Sequence, residues 1–165
     1  MIKVLFICHG NICRSPMAEF LLKDIVKKRG IADQFHIQSA ATSTEEIWNG
    51  IGNPVHPGTR KKLEEVGISC AGKRATQLTK SDYKDYDYLI CMDAMNLKNT
   101  ARICGRDREN KVYRMMDFTN EKRDVADPWY TGNFEKTYED IMLGLEGFLQ
   151  YLREEGRLEE HTIIK

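Results

Sequence analysis

The chain opens on an apolar run. Residues 2–7 read Ile-Lys-Val-Leu-Phe-Ile, interrupted only by Lys3, as expected of a strand covered on both faces of a parallel sheet. The period then lengthens. Met17, Phe20, Leu21, Ile25 and Val26 recur at helical spacing, basic residues crowd the last turn, and Gly30 follows, so a helix is predicted from near Pro16 to Arg29. Residues 35–41 predict a second strand. After it come the hydroxyl-rich turn Thr42, Ser43 and Thr44 and a loop holding Gly50, Gly52, Asn53 and Pro54. A helix is predicted over 57–66, stopped by Gly67; a third strand over 86–92; a helix over 94–104 with Asp93 as its cap; and a fourth strand over 111–115. Gly, Pro, Asn and Asp crowd residues 117–133, a long loop of the kind that usually serves function in a compact domain. Residues 134–153 predict a last helix, with Ile141, Leu145, Phe148, Leu149 and Leu152 on one face.

Strands alternating with helices imply an α/β fold: one domain over residues 1–165, with a four-stranded parallel, doubly wound sheet flanked by helices on both faces. Such sheets bind ligands beyond the carboxyl ends of their strands. Composition narrows the partners. Lys plus Arg number 25 and Asp plus Glu number 25, so no bulk charge draws the chain to nucleic acid or a membrane surface. No apolar stretch approaches the roughly 20 residues of a membrane span. Met1 leads straight into a strand, so no secretory signal is read, and the five cysteines lack zinc spacing. Free thiols in a reducing cytoplasm are expected. His36, His56 and His161 show no metal spacing, and no metal or cofactor is expected. The oligomeric state is not legible.

The chemistry concentrates where the first strand meets the first helix, in Cys8-His9-Gly10-Asn11-Ile12-Cys13-Arg14-Ser15. Backbone N–H groups of such a turn, with the helix dipole behind them, cradle an oxyanion, and the same field favours the thiolate of a cysteine at the base. Arg14 offers a planar fork to two equatorial phosphoryl oxygens. Gly10 lets backbone approach closely, Asn11 tolerates a left-handed φ, and Ser15 can donate to the Cys8 sulfur. His9 shapes the entrance. An acid for the leaving group is absent from the cradle but present far downstream in Asp127-Pro128-Trp129-Tyr130. There aromatic bulk desolvates a carboxyl and can flank an aromatic substrate.

These residues resemble the low-molecular-weight protein tyrosine phosphatases across roughly residues 2–153. The likeness is carried by the stretch from Val4 through Cys8 and Arg14 to Glu19, by Ser39-Ala40-Ala41-Thr42, by Ile90-Cys91-Met92-Asp93, and by Asp127-Pro128-Trp129-Tyr130. The resemblance implies that Cys8 is a nucleophile forming a phosphocysteine, that Arg14 binds phosphate, and that Asp127 is general acid and then general base. It implies that Asn11 and Ser39 hold the cradle, that Ser15 tunes Cys8, and that Trp48, Trp129 and Tyr130 wall the cleft. The implied substrate is a phosphotyrosine protein or a small aryl phosphate. Ile12 favours phosphotyrosine, because a Thr there marks the branch resembling protein arginine phosphatases. One departure is visible: many eukaryotic members carry a supporting His in the stretch matching 71–74, and this chain has none.

Blander readings compete at several positions. Cys13 either fills the back of the cradle or closes a reversible disulfide with Cys8. Cys70, Cys91 and Cys104 are structural, and Lys111 and Arg114 are solvated charges at a strand edge. Asp127 can cap a turn, and Trp48 can fill core. Among activities, a thioredoxin-linked arsenate reductase needs a close cysteine relay that this spacing lacks, and a phosphocarrier needs neither Arg14 nor Asp127.

Overall fold

The computed structural model describes residues 1–159; His161 lies outside them. Strand β1 (Ile2–Cys8) leads into α1 (Arg14–Lys28) and β2 (Phe35–Ala41). A small hairpin, β3 (Ile47–Trp48) and β4 (Ile51–Gly52), precedes α2 (Pro57–Glu65) and α3 (Lys80–Asp85). Then come β5 (Tyr88–Cys91), α4 (Ala94–Cys104), β6 (Val112–Arg114), α5 (Pro128–Thr131) and α6 (Phe134–Glu154).

The main sheet runs β2-β1-β5-β6 with every pair parallel, in register Cys8 opposite Ala41 and Ile7 opposite Cys91. Alternation along β1 sorts its side chains between two cores. Val4, Phe6 and Cys8 face α1 and α6 with Met17, Leu22, Ile141, Leu145 and Phe148, all buried. Leu5 and Ile7 face the opposite layer with Leu89, Leu78 and Cys104. Burying each large side chain contributes about 1.5–3 kcal/mol, which holds helices on both faces as expected. Because the strands are parallel, the ends of β1 and β5 lie side by side on one edge.

Several boundaries differ from the sequence reading. The third strand is Tyr88–Cys91 rather than 86–92, because Thr79 and Asp82 form a capping box that starts the unexpected α3. The fourth is only Val112–Arg114, since the Asp117 carboxylate accepts from the Arg114 backbone and turns the chain into a 3-10 turn, Met115–Phe118. The loop over 117–133 contains α5, capped by Asp127. Loop 42–54 contains the β3–β4 hairpin, pinned where Gly52 comes so close to Ala75 that a Cβ would sit 2.0 Å from its carbonyl oxygen. Lys111 and Arg114 are not solvated edge charges. Lys111 donates to the Tyr86 carbonyl at 2.9 Å, and Arg114 pairs with Asp117 and Asp124, each at 3.1 Å.

Candidate active site

Helix α1 starts at Arg14 without a side-chain cap at Cys13, so its first N–H groups stay open toward the cradle. Asn11 takes the left-handed conformation, φ 59°, and curls the loop so that its own N–H points at the Cys8 sulfur, 3.3 Å away. The Ser15 hydroxyl lies 2.9 Å from the same sulfur. Cys8 therefore sits among donors aimed at its sulfur. Asn11 Nδ2 donates to Ser15 Oγ at 2.8 Å and to Ser39 Oγ at 2.9 Å, while Asn11 Oδ1 accepts from the Thr76 backbone at 2.9 Å.

Arg14 is almost wholly buried. Its Nη1 donates to Asp93 Oδ2 at 2.7 Å and to the Val125 carbonyl at 2.8 Å; its Nη2 lies 3.5 Å from Asp127 Oδ2. Burial opposes the guanidinium charge, but Cys8, Asp93 and Asp127 together hold Arg14 above its ordinary value. Asp93 does two things. Its Oδ1 caps α4 by accepting from the Asn96 N–H at 2.7 Å, and its Oδ2 anchors Arg14. Asp127 likewise caps α5, accepting from the Trp129 N–H at 3.0 Å, while keeping its other oxygen toward Arg14.

The open pocket above the sulfur is lined by Cys8, His9, Gly10, Ile12, Cys13 and Arg14, by Asp127, Trp129 and Tyr130, and by Glu45 and Glu46. His9 and Glu45 meet at 2.7 Å on its lip. Asn11 and Ser15 do not line the pocket; both are buried behind it, where they brace the loop and the Cys8 sulfur. Trp48 is absent from the lining, stands 78% exposed on the hairpin beside it, and does not fill core. Ser39 stands behind the cradle, within the bracing network. Cys13 fills the back of the cradle against Ile12 and Ala75. Burial, with the nearby Cys8 and Asp127 charges, pushes its thiol up to about 12, so it stays protonated at neutral pH. The five cysteines are free.

Sequence reasoning missed Glu19, Lys73 and the Arg14 role of Asp93. Glu19 was legible in principle: it lies one helical turn beyond Ser15, on the buried stripe of α1. Lys73 and Asp93 arrive from distant segments and carry no local signal. Among the described residues, no group of three or more His, Cys, Asp or Glu is placed to hold a metal ion, and no helix is long and apolar enough to cross a membrane.

Known proteins share this fold. A family profile described as low molecular weight phosphotyrosine protein phosphatase matches residues 3–158. The low molecular weight protein-tyrosine-phosphatase YfkJ of Bacillus subtilis is 40% identical over 160 residues, 96% of this chain and all of that one. The crystal structure of YfkJ superposes with a TM-score of 0.87 at 39% identity, covering 94% of this chain and 96% of that one. A low molecular weight protein tyrosine phosphatase from Streptococcus pyogenes gives 0.81 at 38% identity, covering 98% and 100%. A Drosophila arginine phosphatase gives 0.81 at 28%, covering 92% and 98%. The chain belongs to the low molecular weight protein-tyrosine-phosphatase family and is an enzyme of that class.

Proposed function

We propose that the enzyme hydrolyses phosphotyrosine in proteins, and small aryl phosphates, through a phosphocysteine on Cys8. One observation carries the reading: the Cys8 sulfur floors an open pocket whose wall holds both the Arg14 guanidinium and the Asp127 carboxyl. The cradle N–H groups and Arg14 take the three equatorial oxygens, Arg14 turning its Nη2 from Asp127 to the phosphoryl group while Asp93 and Val125 keep Nη1 fixed. The Cys8 thiolate attacks phosphorus. The S–P bond forms as the P–O bond to the aryl group breaks, and Asp127 gives its proton to the departing phenolate oxygen. The Asp127 carboxylate then takes a proton from water, which attacks phosphorus. The S–P bond breaks, phosphate leaves, and Ser15 stabilises the returning sulfur anion.

A pocket lined by Trp129 and Tyr130 suits an aryl ester whose phosphorus must reach a recessed sulfur. The arginine alternative finds less support. Ile12 on the lining is wholly apolar and offers nothing to a guanidinium nitrogen. A cysteine relay finds none: burial pushes the Cys91 thiol up to about 12, behind the sheet. Five buried free cysteines fit a reducing compartment such as cytoplasm. The test compares kcat/KM on phosphotyrosine, phosphoserine and phosphoarginine peptides of one sequence, with Cys8→Ser as control. Preference for phosphotyrosine, lost in Cys8→Ser, is expected. Preference for phosphoarginine, or turnover surviving Cys8→Ser, overturns the reading.

A further inference from the structure

Behind the cradle lies a buried charge pair that the proposed chemistry does not itself use. Glu19 on α1 is 1% exposed. A carboxylate withdrawn from water is strongly penalised unless it is paired. Ser39 Oγ donates to its Oε1 at 2.5 Å, Lys73 Nζ stands 3.2 Å from the same oxygen, and Lys23 Nζ is 2.6 Å from Oε2. Lys73, 10% exposed at its side chain, also donates to the Ser39 carbonyl at 3.2 Å. It comes from the segment between α2 and α3.

The hydrogen bonds here have a forced direction. The Thr76 backbone N–H can only donate, so the Asn11 atom facing it is the carbonyl oxygen, and both amide hydrogens point at Ser15 and Ser39. Each serine has one proton. That of Ser39 goes to Glu19, which as a carboxylate can only accept. That of Ser15 is left for the Cys8 sulfur. The negative end of this chain stands behind a second anion, the thiolate, and Lys73 neutralises it there. Lys23 offsets it from the solvent side of α1, and Tyr86 faces the same carboxylate from the end of α3. Cys8 itself faces Arg14 and the protonated thiol of Cys13.

We propose that Glu19 and Lys73 are a pair of positioning residues: Glu19 fixes the direction of the Ser39–Asn11–Ser15 hydrogen bonds toward Cys8, and Lys73 cancels the charge this requires. The proposal rests on the reading of Cys8 as a reactive thiolate. Iodoacetamide labelling of Cys8, followed by mass spectrometry at pH 6 and pH 9, tests it without any turnover. Lys73→Met is expected to slow labelling about tenfold at pH 6 and by less than about twofold at pH 9, where thiols ionise without help. Lys73→Arg keeps the wild-type rates. Adding Glu19→Gln to Lys73→Met leaves an acceptor for Ser39 but removes the charge that Lys73 balanced on the cradle side, and brings the pH 6 rate back to within about threefold of wild type. Ser39→Ala slows labelling at pH 6 like Lys73→Met.

A purely structural role would lower the melting temperature without this pH contrast and without recovery in the double variant. Wild-type labelling at pH 6 in folded Lys73→Met, or a double variant no faster than the single, overturns the proposal. If Lys73→Met does not fold, Lys73→Gln carries the same expectations. The outcomes separate from those for the activity. Wild-type protein that fails to hydrolyse aryl phosphates while the labelling pattern holds overturns only the phosphatase reading. Normal hydrolysis with no labelling contrast overturns only the charge pair.

Discussion

The floor and the rim of the site are built in opposite ways. Asn11, Ser15, Glu19 and Ser39 are buried and their polar groups join one connected set of hydrogen bonds, while the buried Arg14 is held separately by Asp93 and the Val125 carbonyl. The rim aromatics Trp129 and Tyr130 are 59% and 84% exposed, and Trp48 on the neighbouring hairpin is 78% exposed. A low-dielectric floor makes each donor count for more and fixes where charge settles. An exposed rim contributes contact area to a substrate but little to the stability of the empty protein. In the proposed mechanism the floor sets what reaction occurs, and the rim sets which esters arrive.

The contrast is tested first where the effect is greatest. Cys8→Ser and Arg14→Ala should each reduce kcat/KM on an aryl phosphate by more than about 10⁴-fold, down to the assay background, while thermal melting shows both still folded. Residual turnover above a hundredth in either would remove that residue from the floor's chemistry. Next comes Asp127, which belongs to both regions. Asp127→Ala should slow hydrolysis by about 10²–10⁴-fold for phenyl phosphate, with a smaller loss for para-nitrophenyl phosphate, whose leaving group needs less protonation. Equal losses on the two esters would mean that Asp127 positions rather than protonates.

A third variant loosens the tie between the regions. Arg123 grips the buried Asp140 of α6 through two bonds of 2.8 and 2.9 Å, just before the acid-bearing loop. Asp140→Asn should lower stability by about 1–3 kcal/mol in thermal unfolding. Burial pushes the Asp140 carboxyl up, but its hydrogen bonds from Arg123 and Lys136 outweigh this and hold it below its ordinary 3.8. A group lowered in the folded state contributes above its unfolded value. The wild-type advantage over Asp140→Asn should therefore be complete above about pH 5 and fade as pH falls through 3.8 and below. The smallest effect belongs to the rim. Trp48→Ala and Tyr130→Ala should raise KM for phosphotyrosine peptides severalfold, leave kcat within about twofold, and change stability by less than about 0.5 kcal/mol. A collapse of kcat would place those rings inside the chemistry.

Sequence made some of these parts plain and hid others for physical reasons. The cradle was legible because Cys8 through Ser15 are contiguous and each residue type has one job at a strand-to-helix turn. Strands β1 and β2 and helix α6 were legible because apolar burial there keeps a clean period. Residues joined across the chain were not: Asp93 meets Arg14 from 79 positions away, and Lys73 reaches Ser39 from 34 away. The short elements α3 and α5 escaped because capping by Thr79 and Asp127 creates them rather than any apolar period. Trp48, expected on the cleft wall, is exposed but stands beside the pocket lining, because the two-residue hairpin that carries it has no periodic signature to place it.

The clasp on Arg14 has a consequence for biogenesis. Asp93 joins it across 79 residues and the Val125 carbonyl across 111, and Asp93 reaches it only once β5 has docked against β1. Under the proposed mechanism a nascent polypeptide carries its sulfur early but gains a fixed guanidinium only once these remote segments have assembled, which makes turnover a late reporter of maturation.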